Sequence, residues 1–326
     1  MKRVHFVSVT LIGTLLMTLL IAALMSEKVY LPSVNSGTST TTSSLKLPDT
    51  GQVTDYAATV GEDSDYTLNP PTYTDNGNGT VTDQVTGLIW QQTDGGEMTF
   101  DTAVSYCENL TLGTYTDWQL PSGYALFSLV DLDHNPALNT TAFPVSSAQY
   151  WWTAEELVGD SSRAWVVNAG GGIGAHPKNE TLSAGGVKLF HARCVRNAPA
   201  QMTSTFTDNG NATVTDQNTG LMWQQTEVST TMTWDAALSY CEDLTLGDLT
   251  DWRLPNSKEL RSINDDTRMN PSLNLIAFPG AQATRYWSST TLFGRTDSAW
   301  FVDFISGLAS YNEKVGQLAV RCVRGG

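Results

Sequence analysis

The chain has 326 residues, a formal net charge of −15 and a charged fraction of only 16%, and this length suits about two domains of ~100–200 residues each. Such an acidic surface repels phosphate backbones, so the charge excludes a nucleic-acid partner and disfavours broad capture of anionic polysaccharides. The low charged fraction and the 27 glycines indicate loop-rich, β-containing domains rather than long surface helices.

The first 26 residues have the composition of a targeting segment. A basic start, MKRVH, precedes the uncharged stretch 6–25, which is longer than most signal-peptide cores and long enough to span a bilayer. Two interpretations stay open, a cleaved signal peptide over residues 1–26 and a retained inner-membrane tether through residues 6–25. Both predict an exported protein that is periplasmic, on the cell surface or extracellular.

A polar, low-complexity segment follows. Residues 33–44 read SVNSGTSTTTSS, and they have too few apolar side chains to bury a core, so they are typical of a flexible spacer. We predict a Ser/Thr-rich linker over residues 27–66.

Beyond the linker the sequence repeats itself. TYTDNGNGTVTDQVTGLIWQQ at Thr72–Gln92 returns as TFTDNGNATVTDQNTGLMWQQ at Thr205–Gln225, with 17 of 21 positions identical. YWW at Tyr150 matches YWS at Tyr286, and ARCVR matches VRCVR. A period of about 130 residues is too long for a solenoid repeat of ~20–50 residues and fits a whole domain. We therefore predict tandem domains at residues 67–197 and 198–326.

Each domain begins with a predicted hairpin and continues into a helix. The Asn-Gly pairs predict a tight turn between short β-strands. In each copy an apolar stripe then predicts an amphipathic helix, which Thr99 caps in the first copy. The stripe consists of Phe100, Ala103, Val104, Cys107 and Leu110 in the first copy and of Trp234, Ala237, Leu238, Cys241 and Leu244 in the second.

A second helix is predicted after the Trp-x-Leu-Pro segment of each copy. In the second copy Asn256 and Glu259 have the spacing of a capping box. The first copy has Ser122 as the cap but Ala125 in place of the glutamate, so its cap is expected to be weaker.

The four cysteines are predicted to form one disulfide in each domain. Cys107 and Cys241 lie on the apolar face of a helix, and Cys194 and Cys322 lie on the apolar face of the predicted last strand. Export permits disulfides, and the repeat favours the pairs Cys107–Cys194 and Cys241–Cys322. Four free thiols in a reducing compartment are the alternative.

Several of these motifs together resemble a known family. TDNGNGTVTDQVTGLIWQ, DWRLPNSKELRS, YWSST, AWFVDF and the terminal RCVR are similar to the DUF1566 family, named after the C-terminal domain of the Legionella collagen-like adhesin. The resemblance covers roughly residues 72–197 and 205–326. It implies an α+β fold of two tandem C-type-lectin-like domains, each a twisted antiparallel sheet with two helices and one internal disulfide.

The resemblance also implies a role in attachment, because the adhesin domain is associated with binding sulfated glycosaminoglycans. The chain departs from this pattern in its acidity. It also lacks the Glu-Pro-Asn or Gln-Pro-Asp triplet that holds calcium in sugar-binding C-type lectins, so that lectin mechanism is not expected here.

The hairpins offer oxygen ligands of the kind that calcium prefers. The candidate ligands are Asp75, Asn76, Asn78 and Asp83 in the first copy and Asp208, Asn209, Asn211 and Asp216 in the second. The pattern lacks the third ligand position and the distal glutamate of an EF-type loop. The alternative is turn chemistry, in which these residues hold a hairpin.

Aromatic residues near charged side chains supply a candidate ligand site. Aromatic faces beside Arg and Asp suit the recognition of sugars or peptides, and core packing is the alternative. The candidate residues are Trp151, Trp152, Arg163, Tyr286, Trp287, Arg295 and Asp297. The Gly-rich stretch Gly170–Gly186 makes the first copy longer between its Trp and its last Cys, and such loops can carry function.

Histidine placement argues against an enzyme. The second copy contains no histidine, so a His-based triad or zinc site cannot be common to both domains. The sequence therefore predicts a non-catalytic surface or periplasmic module that binds a glycan or protein. The alternatives are a structural or self-assembling surface protein without a small ligand and an enzyme that uses carboxylates.

Overall fold

The computed structural model describes residues 46–144, 147–182, 186, 189–198 and 205–325. The predicted targeting segment and residues 27–45 of the predicted linker lie outside the described residues. None of the helices in the described ranges is long and apolar enough to cross a membrane. The chain from Ser44 onward clusters as one unit that contains both repeats.

The two repeats follow the same order of elements, except that repeat 1 has one more strand, β7. Those of repeat 1 are β1 (Tyr73–Asp75), β2 (Thr80–Asp83), β3 (Ile89–Gln91), α1 (Phe100–Glu108), α2 (Gly123–Ser128), β4 (Ala148–Leu157), β5 (Asp160–Asn168), β6 (Ile173–Pro177), β7 (Leu189–His191) and β8 (Val195–Arg196). Those of repeat 2 are β9 (Phe206–Asp208), β10 (Thr213–Asp216), β11 (Met222–Gln224), α3 (Trp234–Glu242), α4 (Ser257–Ser262), β12 (Arg285–Leu292), β13 (Arg295–Asp303), β14 (Leu308–Glu313) and β15 (Val323–Arg324).

Each repeat closes a small antiparallel sheet with its own first and last strands. The order is β1-β2-β3-β8 in repeat 1 and β15-β11-β10-β9 in repeat 2. Trp90 pairs with Val195, and Trp223 pairs with Val323. The predicted α+β class and the predicted hairpins are therefore confirmed, and the ends of each domain lie side by side.

The large sheet belongs to both repeats at once, which differs from the expectation of one sheet per domain. Its order is β12-β13-β14-β6-β5-β4-β7, and all its pairings are antiparallel except β4 with β7. The repeats meet where Ala309 of β14 pairs with Ile173 of β6. Repeat 1 and repeat 2 are thus joined by main-chain pairing as well as by side chains.

A pseudo-two-fold axis passes through this junction. Ile173 pairs with Val167 in repeat 1, and Ala309 pairs with Val302 at the same place in repeat 2. Equivalent residues therefore face one another across the junction, which is the hallmark of an isologous dimer interface. Here both halves of that interface belong to one chain.

The core is divided in the same way. One buried cluster spans both repeats and includes Trp90 and Trp223. A separate cluster surrounds the disulfide of each repeat, with Trp152 in the first and Trp287 in the second. Because the largest cluster is shared, packing as well as strand pairing holds the two repeats together.

The helix predictions are confirmed with small differences. Phe100, Ala103 and Cys107 are buried on α1, although the Thr99 side chain accepts no capping bond from the helix backbone and is bonded to the Thr102 hydroxyl instead. In α4 the full capping box forms between Asn256 and Glu259. In α2 the Ser122 side chain accepts a hydrogen bond from Ala125 N, and the second half of the box is missing, as expected. Leu110 and Leu244 lie beyond the helix ends.

Both predicted disulfides form. Cys107 is bonded to Cys194, and Cys241 is bonded to Cys322, with sequence separations of 87 and 81 residues. The last strand of each domain is more broken than predicted, since β7 ends at His191 and β8 begins only at Val195.

The linker prediction is wrong for residues 46–66. This segment, hereafter the strap, includes the buried residues Asp49, Thr50, Gln52, Glu62 and Asp63 and a short 3₁₀ turn at Asp63–Asp65. Composition does not predict this fold because buried hydrogen bonds, and not a set of apolar residues, hold the strap in place.

The strap is bound to both repeats. Lys258 is fully buried, and its Nζ donates to the Asp49 carbonyl at 2.7 Å and to the Ser128 carbonyl at 2.9 Å. The Asp63 carboxylate accepts hydrogen bonds from the hydroxyls of Thr50 and Thr290, both at 2.6 Å.

Candidate functional site

The hairpin residues predicted to bind calcium make turn hydrogen bonds. Asp75 accepts from Gly77 N at 2.8 Å and from the Gln92 side chain at 3.1 Å. Asp83 accepts from the Thr86 hydroxyl at 2.6 Å. The second copy repeats these contacts, with Asp208 accepting from Gly210 N, Asn209 and Asn211 bonded to Thr213, and Asp216 bonded to Thr219.

The strand register keeps these ligands apart. Asp75 lies opposite Val81, whereas Asp83 lies at the other end of the hairpin, opposite Tyr73. Asn76 and Asn78 are both bonded to Thr80 near the tip. One calcium site built from all four residues is therefore wrong for each hairpin. Within the described ranges, no group of three or more His, Cys, Asp or Glu side chains is placed to hold a metal ion.

The four aromatic residues predicted to bind a ligand are core residues. Trp151 is 7% exposed, and Trp152, Tyr286 and Trp287 are fully buried. The Trp152 indole donates to the Met98 carbonyl at 3.0 Å. A buried ring offers no face to a ligand, so the ligand-binding prediction is wrong for these residues and the core alternative applies.

The structure also shifts the sequence match in this strand by one residue. Trp151 pairs with Val167, and Tyr286 pairs with Val302, the residue equivalent to Val167. Trp151 is therefore the counterpart of Tyr286, and Trp152 is the counterpart of Trp287. The Tyr-Trp pair that both copies contain aligns Tyr150 with Tyr286 in the sequence, which differs from the strand register by one residue.

The charged members of the predicted site lie on the surface of the large sheet. The Arg163 side chain donates to the Ala175 carbonyl. Arg295 is 52% exposed and Asp297 is 72% exposed, with 4.0 Å between them. The Arg295 guanidinium lies 5.4 Å from the centroid of the Tyr311 ring, so of this set Arg295 lies beside an accessible aromatic residue.

A buried ionic cluster was missed by the sequence analysis. Asp94 lies 2.8 Å from His191 Nδ1 and accepts from the Trp151 indole at 3.1 Å. Arg193 lies 3.6 Å from the same carboxylate, and its side chain is 1% exposed. This His–carboxylate pair cannot reach a solvent-borne substrate, because both side chains are buried.

Repeat 2 contains an equivalent cluster without a histidine. Arg321 is fully buried, donates to the carbonyls of Gln224 and Gln225, both at 2.6 Å, and forms an ion pair with Glu227. Burial lowers the pKa of Arg321. The signal in the sequence was the arginine that precedes the last cysteine in both copies. In repeat 2 this arginine, Arg321, lies over the Phe278 and Tyr286 rings of the shared core.

A cavity of about 380 Å³ lies where the two repeats meet. We call it the inter-repeat groove. It is lined by Tyr150, Asn168 and His176 from repeat 1 and by Phe293, Trp300 and Tyr311 from repeat 2, among other residues. Its volume is at the lower end of the ~300–1,000 Å³ that is typical of small-molecule sites.

Aromatic residues form much of its wall. The Tyr150 and His176 rings are 4.9 Å apart, and Trp300 and Tyr311 meet edge to face at 6.2 Å. Phe293 is 43% exposed and Tyr311 is 44% exposed. Unlike the predicted aromatic residues, these two are open to a ligand.

At two positions of the groove, the equivalent residues across the pseudo-two-fold axis are larger or charged. Tyr150 corresponds to Arg285, and Val166 corresponds to Phe301. The Arg285 guanidinium lies over the Phe301 ring, 4.9 Å from its centroid, and 3.4 Å from Asp303.

The turn between β5 and β6 contributes to this opening. Between the paired residues Val167 and Ile173, repeat 1 has five residues, which include Gly170 and Gly171. Between the equivalent pair Val302 and Ala309, repeat 2 has six, which include Ile305, and Ile305 is 44% exposed. At Gly174 in β6, an added Cβ would meet no atom within 4 Å. The absence of side chains at these glycines leaves the space beside Asn168 and His176 open.

The extra length noted within Gly170–Gly186 does not lie in the turn between β5 and β6. Lys178 and Lys314 make equivalent contacts with the start of the first helix, and Phe190 and Leu318 make equivalent bonds to Met98 and Met232. The added residues of repeat 1 therefore lie between Lys178 and Phe190, and 183–185, 187 and 188 are outside the described residues.

Comparison with known proteins agrees with this architecture. The family model of the Lcl C-terminal domain matches residues 79–196 and 212–324, which is most of the chain and one match per repeat. The comparison with curated proteins gave no significant match. The resemblance inferred from the sequence motifs is confirmed. The chain belongs to the Lcl C-terminal domain family and carries two tandem copies of that domain.

Proposed function

We propose that the chain is an exported, non-catalytic binding module of the cell surface or periplasm, and that it holds a glycan or protein ligand in the inter-repeat groove. Family membership supports a surface-associated role. The mixed sheet, the two helices and the helix-to-strand disulfide of each repeat support the C-type-lectin-like architecture that the resemblance implies.

The observation that carries the proposal is the inter-repeat groove. Its residues come from both domains, so a ligand there contacts two domains that are already fixed relative to each other. Preorganisation of this kind lowers the entropy cost of binding. The buried Asp94–His191 pair supports a structural rather than a catalytic use of the most catalysis-like residues.

The test is to fill the groove without disturbing the fold. Gly174→Leu adds a side chain at a position where a Cβ meets no neighbour. Ser161→Leu adds the same side chain at an exposed position of β5 outside the groove and is the matched control. Both variants are expected to unfold at the same urea concentration as the unmodified chain.

The full chain and both variants are assayed on glycan arrays and on immobilised surface proteins. Gly174→Leu is expected to lose binding by at least about tenfold, a loss of ~1.4 kcal/mol, while Ser161→Leu retains it. Ligand binding that survives Gly174→Leu unchanged would refute the groove as the site.

A further inference from the structure

The chemistry of the groove wall narrows the class of ligand. None of the residues that line it, all within the described ranges, is Asp, Glu, Lys or Arg. The chain as a whole carries a net charge of −15. The two histidines of the wall are each paired with a carboxylate outside it, His134 with Asp131 at 2.8 Å and His176 with Glu180 at 3.2 Å. The wall therefore carries little net charge on an acidic protein.

Charged ligands fit this wall poorly. An ion that enters the groove loses hydration, which is costly. The Arg295 guanidinium beside Tyr311 is 52% exposed, so solvent weakens its attraction for an anion. A polyanion is also repelled by the acidic surface around the opening. A cationic ligand gains from the general field but meets no carboxylate in the wall. These conditions favour a ligand without net charge.

Among uncharged ligands, the polar side chains distinguish a saccharide from an apolar peptide segment. Asn135, Asn168, His134 and His176 offer donors and acceptors in the same cavity as the aromatic rings. Nδ1 of each histidine is bonded to a carboxylate, and Asn168 Oδ1 accepts from Gly170 N and Gly172 N. The remaining imidazole and amide nitrogens would lose their contact with water under an apolar segment, at about 1–3 kcal/mol for each group that is left without a hydrogen bond. A sugar satisfies them with its hydroxyls and places its C–H face on an aromatic ring.

The exposed ring of Tyr311 is well placed for such stacking. It is 44% exposed and packs against the edge of Trp300, at 6.2 Å between centroids and 83° between planes. The Arg295 guanidinium lies 5.4 Å from the centroid of the same ring, which helps to fix its orientation. A flat ring held in this way resembles a platform for one sugar ring.

We infer that the inter-repeat groove binds a short neutral saccharide, which stacks on Tyr311 and is oriented by the amide and imidazole side chains of repeat 1. This inference rests on the proposed function and names the ligand class of that same site. It excludes sulfated and carboxylated sugars as ligands of the groove.

The experiment compares neutral and charged sugars on the full chain. The hydrogen bond with Asp131 raises the pKa of His134, so titrations are made at about pH 8, above the ordinary pKa of imidazole. The probes are linear neutral oligosaccharides, namely β-1,4-glucose, α-1,4-glucose and β-1,4-N-acetylglucosamine oligomers, and heparin-derived oligosaccharides. Binding is measured by calorimetry at low and high salt.

The expected result is saturable binding of at least one neutral oligosaccharide that changes little with salt. Tyr311→Ala is expected to weaken it by about tenfold or more, as hot-spot aromatics do, and Tyr311→Phe, which keeps the ring, is expected to retain it. Ile276→Ala changes a residue that is 88% exposed and outside the groove and is expected to have no effect.

The outcomes separate this inference from the proposed function. Heparin binding that Gly174→Leu abolishes would overturn the neutral-saccharide inference and leave the groove as a binding site. Binding only of an apolar peptide or protein, sensitive to Gly174→Leu, would do the same. Neutral-sugar binding that is indifferent to both Gly174→Leu and Tyr311→Ala would overturn both proposals.

Discussion

Lys258 of repeat 2 and Tyr124 of repeat 1 occupy equivalent positions on the second helix of each domain, yet their surroundings differ. Lys258 is covered by the strap and donates two hydrogen bonds to main-chain carbonyls. Tyr124 lies in the wall of a small polar cavity of about 20 Å³, and its hydroxyl has no hydrogen-bond partner among the described residues.

The same contrast holds for the neighbouring residues. Thr290 donates to Asp63 of the strap, whereas its counterpart Glu155 faces the small cavity, and burial raises the pKa of Glu155. One segment that precedes both repeats thus covers only one of two equivalent sites. The asymmetry of this protein therefore has two sources, the strap that precedes the repeats and the sequence differences between them.

The largest expected effect tests what the two repeats have in common. Arg321→Ala leaves the Glu227 carboxylate and the carbonyls of Gln224 and Gln225 without their buried partner. Breaking a buried pair in this way typically costs about 3–5 kcal/mol. The free energy of unfolding, measured in urea, is expected to fall by this amount.

The matched variant in repeat 1 is Arg193→Ala. Arg193 lies 3.6 Å from the Asp94 carboxylate, whereas Arg321 donates directly to Glu227, so the loss is expected to be smaller than for Arg321→Ala. Arg324→Ala breaks a surface pair with Asp251 and is the control, expected to change stability by less than about 1 kcal/mol. Losses for Arg321→Ala and Arg193→Ala as small as that for Arg324→Ala would contradict a stabilising role for the two buried clusters.

The next effect concerns the strap and pH. Burial, followed by the nearby Asp49 carboxylate, raises the pKa of Asp63 from 3.8 to about 7. Between these two values the folded chain binds the proton and the unfolded chain does not. The contribution of Asp63 to the free energy of unfolding is therefore largest below about pH 4, decreases as pH rises to about 7 and is constant above it, a change on the order of a few kcal/mol.

Asp63→Asn removes this titrating group while keeping an acceptor for Thr50 and Thr290. Urea titrations at a series of pH values measure the free energy of unfolding of the unmodified chain and of Asp63→Asn. As pH rises from 4 to 8, the unmodified chain is expected to lose stability relative to Asp63→Asn. Asp65→Asn, an exposed position in the same 3₁₀ turn, is the control. A difference that does not vary with pH would show that the strap does not hold a protonated Asp63.

The smallest effect compares the two helix caps. Asn256→Ala removes the bond that Glu259 N donates to the Asn256 side chain at 2.9 Å and leaves the bond from Asn256 N to the Glu259 carboxylate. It is expected to cost about 1–2 kcal/mol, whereas Ser122→Ala removes a longer bond at 3.1 Å and is expected to cost about 0.5–1 kcal/mol. Thermal unfolding of the two variants measures the difference. A larger loss for Ser122→Ala would reverse the predicted order of the caps.

Local and repeated signals in the sequence predicted much of the fold. The cysteine pairs follow from the matching positions of Cys107 and Cys241 on one helix face, and the capping box at Asn256 depends on residues three positions apart. The hairpins follow from turn residues with positive φ, such as Gly77. These features are set by neighbours in the chain, so a single sequence contains enough information.

The candidate site could not be predicted in the same way. Its wall combines β5 and β6 of repeat 1 with β13 and β14 of repeat 2, and they meet through the single pairing of Ile173 with Ala309. No local sequence pattern indicates which strand edges pair when the strands are more than 100 residues apart, as Ile173 and Ala309 are. The exposed Tyr311 was overlooked for this reason, while the buried Trp151 was chosen because aromatic letters beside charges look alike in core and surface positions.

The pairing of β6 with β14 also covers two sheet edges. Each of these strands would end its own half-sheet with a row of main-chain donors and acceptors open to any other strand. In the joined molecule each strand shields part of the other, and the shared core containing Trp90 and Trp223 closes behind them. Fusion of two copies therefore satisfies an edge that a single copy would have to protect by charge, by a bulge or by finding another molecule of itself.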